Sequence, residues 1–423
     1  MQLLHLRQRL RANLWFIPSF CVIASIALAL FSSWVDDRVG ENVPSLLVFD
    51  IDVESARSFL SALSSSMITL TALVFSITIL VLQLASNQFT PRVLRTFLRD
   101  WKSQLALGIF IATFTYSMLV LRDVRGADSA GGASVPQVSI TIAFALVFLS
   151  LIAFVAYIHH VANSIRVSSI VDSIGDETRE LLSKIYDHDL SIPAPKPLPA
   201  GEPNAVIRTP IQGILTVVDR DGLVEEASRT DCVLSLLPHV GDFIPSGGPI
   251  VEVRGTGGVP DARTILDLIG LEDDRTMEQD PAFGFRQLVD TGERALSPAV
   301  NDPTTAVEVL NQLHDLLRRL AARPFPTGQR LDAEGELRLV YPVVSWEGYV
   351  HLAVDEILFY GQTSLEVMRR LRSMLEDLKT VAPAERDLVL DEALAELDAV
   401  IERTFSEEYE KRETRLPPGR PVS

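Results

Sequence analysis

Few side chains in this 423-residue sequence are spaced in a way that suggests chemistry, and the best of them lie between Arg275 and Leu320. Arg286, Asp290 and Arg294 recur at i, i+4 and i+8, so on one helical face a carboxylate can sit between two guanidiniums. Just beyond them, Ser297, Asn301, Asp302, Thr304 and Thr305 gather hydroxyl, amide and carboxyl oxygens in a short run. A helix beginning at Pro303 leaves the amides of Thr304 and Thr305 pointing outward beside their hydroxyls. With Arg294 nearby, that arrangement suits a phosphate or another small anion. Asp290, Asn301 and Asp302 could instead hold a small cation through oxygen ligands. The remaining readings are a subunit contact, or a self-satisfied cap and salt-bridge network that fixes the angle between two helices.

Other chemistry is hard to find. The sequence has no G-x-S-x-G, P-loop, G-x-G-x-x-G or H-E-x-x-H motif. Its two cysteines, Cys21 and Cys232, are too few and too far apart for a disulfide framework or a cysteine zinc site. His188, His239, His314 and His351 are scattered, and adjacent His159 and His160 project in different directions on a helix, a poor metal pair. The expectation is a protein that is not an enzyme and has no cofactor and no metal.

The elements that position the elbow can be read from its flanks. Phe285, Leu288, Val289, Gly292 and Leu296 share one helical face. Pro298 lacks an amide hydrogen and restricts Ser297, so that helix should end near Leu296. Asp302 suits an N-cap with Pro303 at the first helical position, and Ala306, Val309, Leu310, Leu313, Leu316, Leu317 and Leu320 continue at helical spacing. Asp280-Pro281 marks the start of the first helix in the same way. Asp290→Ala or Asp302→Ala should therefore damage assembly or ligand response more than Glu293→Ala.

The run A-L-S-P-A-V-N-D-P-T-T-A (295–306), the upstream R-T-x-x-Q-D (275–280) and F-G-F (283–285), and four hydrophobic spans together resemble a bacterial family of predicted multi-pass membrane proteins. That family is catalogued as a domain of unknown function. The resemblance covers nearly the whole chain. It implies an integral membrane protein with a large C-terminal part outside the bilayer, and brings no activity, cofactor or catalytic residue.

The spans are Leu14–Trp34, Leu60–Leu84, Leu105–Leu121 and Val138–Ile158, each long enough to cross about 30 Å of hydrocarbon. Trp15, Trp34, Trp101 and Tyr157 lie near span ends, as interfacial rings do. Ala27-Leu28-Ala29 could serve as a signal-peptide cleavage site, but the apolar run continues to Trp34. Arg7, Arg9 and Arg11 precede span one, and Arg92, Arg95, Arg99 and Lys102 separate spans two and three; the other two loops are acidic or balanced. Both termini are thus expected in the cytoplasm of a bacterial inner membrane protein.

Span two carries Ser61, Ser65, Thr69, Ala72, Ser76, Gln83 and Asn87 as a small-polar stripe at helical spacing. The stripe either lines a pathway for water or ions in a homo-oligomer or lets helices pack closely with their hydroxyls bonded locally. Phe89 to Trp101, with Arg92, Arg95 and Arg99 interleaved, fits an interfacial amphipathic helix.

Charge divides the chain. Residues 1–160 hold 11 Lys and Arg against 9 Asp and Glu, and the rest hold 27 against 46, which excludes nucleic acid as a partner. A connecting helix and Pro-rich linker (161–203) lead to a small β module (204–260) with strands at Ile211–Val218, Cys232–Leu237 and Ile250–Val253 and a turn at Asp221-Gly222. Its G-D-F-I-P-S-G-G-P-I run resembles hairpins of small barrels such as biotinyl and lipoyl carrier domains, without their attachment lysine. A helical domain (261–415) and a disordered tail (416–423) follow, with the last helix expected from Ala384 to Glu410.

The fold expected is therefore a four-helix membrane domain (1–160) joined to an α+β region with a barrel-like module. The function expected is an oligomeric, channel-like membrane protein with a cytoplasmic regulatory domain. The alternative is a non-conducting scaffold or signalling protein that acts through its acidic domain. The partners expected are the lipid bilayer, further copies of the chain, and a small anion or cation at the elbow.

Overall fold

Four apolar stretches become four long helices in the computed structural model, which describes residues 16–39, 52–88, 101–124, 135–164, 166–186 and 194–415. They are α1 (Phe16–Val39), α2 (Val53–Gln88), α3 (Trp101–Asp123) and α4 (Gln137–Ser164), each long and apolar enough to cross a membrane. The interfacial helix expected between α2 and α3, and the expected disordered tail, lie outside the described residues. By contacts the chain divides into Met1–Arg166 and Val167–Ser423.

Within the first unit α3 is central. Buried positions make up 44% of its apolar window, against 17–22% in the other three helices. Leu60, Leu63, Met67 and Val74 of α2 pack inward with Phe110 and Tyr116 of α3 and Ile140 of α4. One polar knot interrupts this core. The Asp36 carboxylate accepts the Val138 and Ser139 amides at 2.8 and 3.0 Å and the Ser139 hydroxyl at 2.6 Å, capping the start of α4. Ser32 Oγ lies 3.0 Å from Ser139 Oγ and 2.9 Å from the Tyr116 hydroxyl, which donates to Ser139 O. α1 runs on past Trp34, the expected end of span one, to Val39 and so carries Asp36 to the cap.

The second unit opens with α5 (Val167–Ile185) and continues into eight strands: β1 (Ala205–Arg208), β2 (Gly213–Val218), β3 (Val233–Leu236), β4 (Phe243–Ile244), β5 (Pro249–Arg254), β6 (Ile269–Glu272), β7 (Gln329–Leu331) and β8 (Leu337–Val340). They form a five-stranded sheet, β1-β5-β3-β8-β7, and a three-stranded sheet, β4-β2-β6. Neither closes, so the small barrel is not formed. The run from Gly241 to Ile250 is not a hairpin either, because β4 pairs with β2 whereas β5 pairs with β1 and β3. Leu215, Leu234, Ile250, Val251, Val253, Ile265 and Leu339 fill the core between strands and helices.

Helices α6 (Arg220–Arg229) and α7 (Ala262–Asp267) flank the strands. Asp221-Gly222 is not a turn but the first turn of α6, because the Asp219 carboxylate accepts the Gly222 amide at 3.0 Å and caps a helix there. After the sheets come α8 (Pro281–Leu296), α9 (Pro303–Ala321), α10 (Trp346–Gly361), α11 (Leu365–Val381), α12 (Asp387–Thr404) and α13 (Glu408–Thr414). The single last helix expected from Ala384 to Glu410 is thus divided. Phe405 adopts an extended backbone and is buried, which ends α12 before α13 begins.

Two arginines close helix ends in this unit. Arg386 donates to the carbonyls of Leu320, Ala321 and Arg323 at 3.0, 2.6 and 2.9 Å, at the C-terminus of α9. Its guanidinium also lies 4.7 Å from the Phe325 ring centroid and 5.8 Å from that of Trp346. Arg323 in turn donates to Leu182 O and Tyr186 O, at the C-terminus of α5.

Candidate functional site

The elbow between α8 and α9 is built from both ends. Asp280 accepts the Phe283 amide at 3.1 Å and so starts α8 with Pro281 in its first turn. Burial raises the Asp280 carboxyl, and the Arg275 guanidinium 2.6 Å away opposes that rise. Beside it, Gln279 takes the Val218 amide at 3.1 Å and returns a hydrogen bond to the Val218 carbonyl at 3.3 Å. The R-T-x-x-Q-D run is therefore a joint: its arginine and aspartate set the start of α8, and its glutamine ties that start to β2.

At the other end Ser297 Oγ donates to Arg294 O at 2.7 Å, and the Asn301 amide to Ser297 O at 2.8 Å. Asn301 sits at φ +50°, in the left-handed region that asparagine tolerates better than most residues. The Asp302 carboxylate accepts the Thr305 amide at 3.1 Å and its hydroxyl at 2.6 Å, which holds this carboxyl below its usual range. Thr305 is thus engaged by the chain's own carboxylate, while Thr304 and Asn301 are exposed. Asp302, Ser297 and Thr305 come together at the elbow itself, and Asp290 lies two turns back along α8.

Asp290 is buried and accepts from Arg286 Nε at 2.6 Å. Around Arg286 the structure adds two carboxylates that spacing alone did not suggest. Glu293 lies 3.4 Å from one guanidinium nitrogen, and Glu356, on α10, lies 2.6 Å from another. Burial and the neighbouring Glu356 raise the Glu293 carboxyl to about 7. Glu356, nearer the guanidinium, is held below its usual range. The pair thus favours a proton on Glu293 over one on Glu356. Glu293 belongs to the same network as Asp290 rather than standing apart from it. Only the arrival of α10 brings Glu356 to the site, a contact no local spacing signals.

The pH consequence has a definite sign. Folding raises this carboxyl from 4.5 to about 7, so between those values the folded chain holds a proton that the unfolded chain has released. Stability from this group is greatest below pH 4.5, falls as pH rises through that window, and is lowest above 7. Glu293→Gln should flatten this part of the profile and make the protein more heat-resistant at pH 8 than the wild type. Infrared difference spectra across pH 6–8 should show a protonated-carboxyl band in the wild type and none in the variant. An unchanged band in Glu293→Gln would assign the proton elsewhere.

In α2 the stripe residues Ser61, Ser65, Thr69, Ala72, Ser76 and Gln83 are all exposed, while Leu60, Leu63, Met67, Val74 and Val81 are buried against the other helices. Asn87 lies in the last turn of the same helix. Thr69 Oγ1 donates to Ser65 O at 3.0 Å, the local bonding expected of a mid-helix threonine. Ser61, Ser65, Ser76 and Gln83 make no side-chain hydrogen bond among the described residues. Among the described residues, the stripe is not used to pack α2 against this chain's other helices.

Among the described residues, no group of three or more His, Cys, Asp and Glu side chains could hold a metal ion. No solved structure matches the chain. An uncharacterized protein of Mycobacterium bovis and two of Mycobacterium tuberculosis are each 34% identical over 415 residues, covering 95% of this chain and 78% of the relative. A family model described as "Predicted membrane protein (DUF2254)" matches residues 11–377, a span that takes in the four apolar helices, both sheets and the elbow. The chain belongs to that family of predicted membrane proteins.

Proposed function

We propose that this protein assembles as a homo-oligomer in the bacterial inner membrane, with the polar stripes of α2 from several copies facing a shared, hydrated axis. Both termini lie in the cytoplasm, and the acidic C-terminal unit regulates the assembly. The observation that carries this reading is the outward face of α2. Serine hydroxyls and a glutamine amide without partners are costly against hydrocarbon, so water or another copy of the chain should cover them. Hydroxyl-lined helices are one way to build a passive pathway. The basic residues before α1 and between α2 and α3 support the orientation.

The test uses single cysteines in a Cys21→Ser, Cys232→Ser background, in native membranes. Ser65→Cys and Ser76→Cys should cross-link between copies and react with a water-soluble thiol reagent. Leu73→Cys and Leu80→Cys, exposed on the flank of the same helix, should do neither. Absence of both signals from the stripe would remove the oligomer. Cross-linking without reagent access, and without ion flux in proteoliposomes, would select the second reading, a non-conducting scaffold. The local hydrogen bond made by Thr69 favours that alternative.

A further inference from the structure

Away from the elbow, a cavity of about 610 Å³ opens in the C-terminal unit. Its wall includes Lys184 at the end of α5, Arg220 at the start of α6, Arg330 in β7, Tyr341 just after β8, and Tyr349 of α10. This size is typical of small-molecule sites, which combine an apolar or aromatic wall with a few convergent polar groups. The unit around it is strongly acidic, yet among the described residues the only acidic side chain in the wall is Asp280, already paired with Arg275 at 2.6 Å. Lys184 is likewise committed to Glu180 at 2.6 Å.

The two remaining guanidiniums are different. Arg220 stacks over Tyr341 at 4.6 Å, and its Nε is enclosed without a hydrogen-bond partner. Neither Arg220 nor Arg330 has a carboxylate or other hydrogen-bond partner among the described residues. Burial lowers the basicity of Arg220, and the adjacent Arg330 charge adds to that effect. The Tyr341 hydroxyl also has no intrachain partner among the described residues. Arg220 is half-buried and Arg330 exposed, and two neighbouring cations that no described carboxylate pairs repel each other, which an anion between them would relieve.

We infer that this cavity binds a small phosphorylated molecule, its phosphate held by Arg220 and Arg330 and its body lying against Tyr341. Two guanidiniums offer a charge of two and paired donors in a fixed fork. A phosphate monoester near neutral pH, at about −1.5 to −2, matches that charge better than a single carboxylate. Binding here does not depend on whether ions flow along α2.

The test is titration calorimetry on the full-length protein in lipid nanodiscs, with ribose 5-phosphate, adenosine monophosphate, inorganic phosphate, acetate and chloride as probes. A phosphate monoester should bind at least about tenfold more tightly than acetate or chloride. Arg220→Met and Arg330→Gln should each weaken that binding by about tenfold or more, while Lys184→Gln should leave it within about twofold. Inorganic phosphate binding as tightly as the monoesters would keep the phosphate site and remove the role given to Tyr341. A second readout separates a site from a strut. Without ligand, Arg220→Met should unfold at the same or a higher temperature than the wild type, because it removes an unpaired enclosed charge. A marked loss of thermal stability would make Arg220 a structural stacking residue and overturn the inference. So would no monoester binding, or binding no tighter than chloride.

Discussion

Arg386→Ala is expected to cost the C-terminal unit about 3–4 kcal/mol, near the top of the range for single substitutions. Three carbonyls at the end of α9 lose their donor, and two aromatic rings lose a cation. Hydrogen bonds from a charged donor contribute about 1.5–3 kcal/mol each and a cation–π contact about 0.5–2 kcal/mol, but contributions sharing one side chain do not simply add. Water will reach some of the freed carbonyls and offset part of the loss. In a domain of this size about 3 kcal/mol lowers the melting temperature by on the order of 10 °C. Cys232 is 1% exposed and offers a reporter in the full-length protein carrying Cys21→Ser. Its reaction with a thiol dye on heating should begin correspondingly earlier. Arg386→Lys should recover only part of the loss, since an ammonium cannot span three carbonyls in a plane. A midpoint within about 1 °C of the parent would show that water replaces the guanidinium fully.

Gly284→Ala should come next in size. A methyl placed on Gly284 would lie 2.9 Å from Thr178 Cβ and closer still to its hydroxyl oxygen. Thr178 is fully buried in α5 and bonded to Ile174 O at 2.6 Å, so it has little room to yield. The two helices must then separate. Overpacking of this kind typically costs about 1–3 kcal/mol, and here the clash reaches a branched side chain close to its backbone. The pair Thr178→Gly with Gly284→Ala seats the new methyl in the space left by the threonine side chain. It should regain most of the stability, less about 1 kcal/mol for a glycine in a helix interior. Thermal Cys232 exposure again reports the result. If the double variant is no more stable than Gly284→Ala alone, the contact with Thr178 is not the cause.

These residues also show which parts of the molecule were legible beforehand. The four apolar helices, the elbow's proline stop and aspartate start, and the inward faces of α8 and α9 follow from local rules; the elbow's end points agree with the expectation, whereas α1, α2 and α4 run on past the expected ends of their spans. Where two local rules compete, reading is harder. Asp221-Gly222 has the composition of a turn, but the carboxylate two residues earlier turns it into a helix start. Contacts between distant segments leave no mark in spacing. Glu293 and Glu356, Arg386 and the end of α9, and Gly284 and Thr178 are each brought together by packing alone. The site residues divide along the same line. Asp302 and Thr305 were readable as a cap and Asp290 as a partner of Arg286, whereas Glu356 beside Arg286 became visible only with α10 in place.

The parallel pairing of β3 with β8, Leu234 opposite Leu339 and Ser235 opposite Val340, bears on how the chain is made. β3 is complete about a hundred residues before its neighbour leaves the ribosome, with both elbow helices lying between. Through that interval an apolar strand waits with one side unsatisfied, able to pair with any other extended chain. Translation that halts before residue 337 would leave that side open, so aggregation during synthesis is the characteristic hazard of this topology.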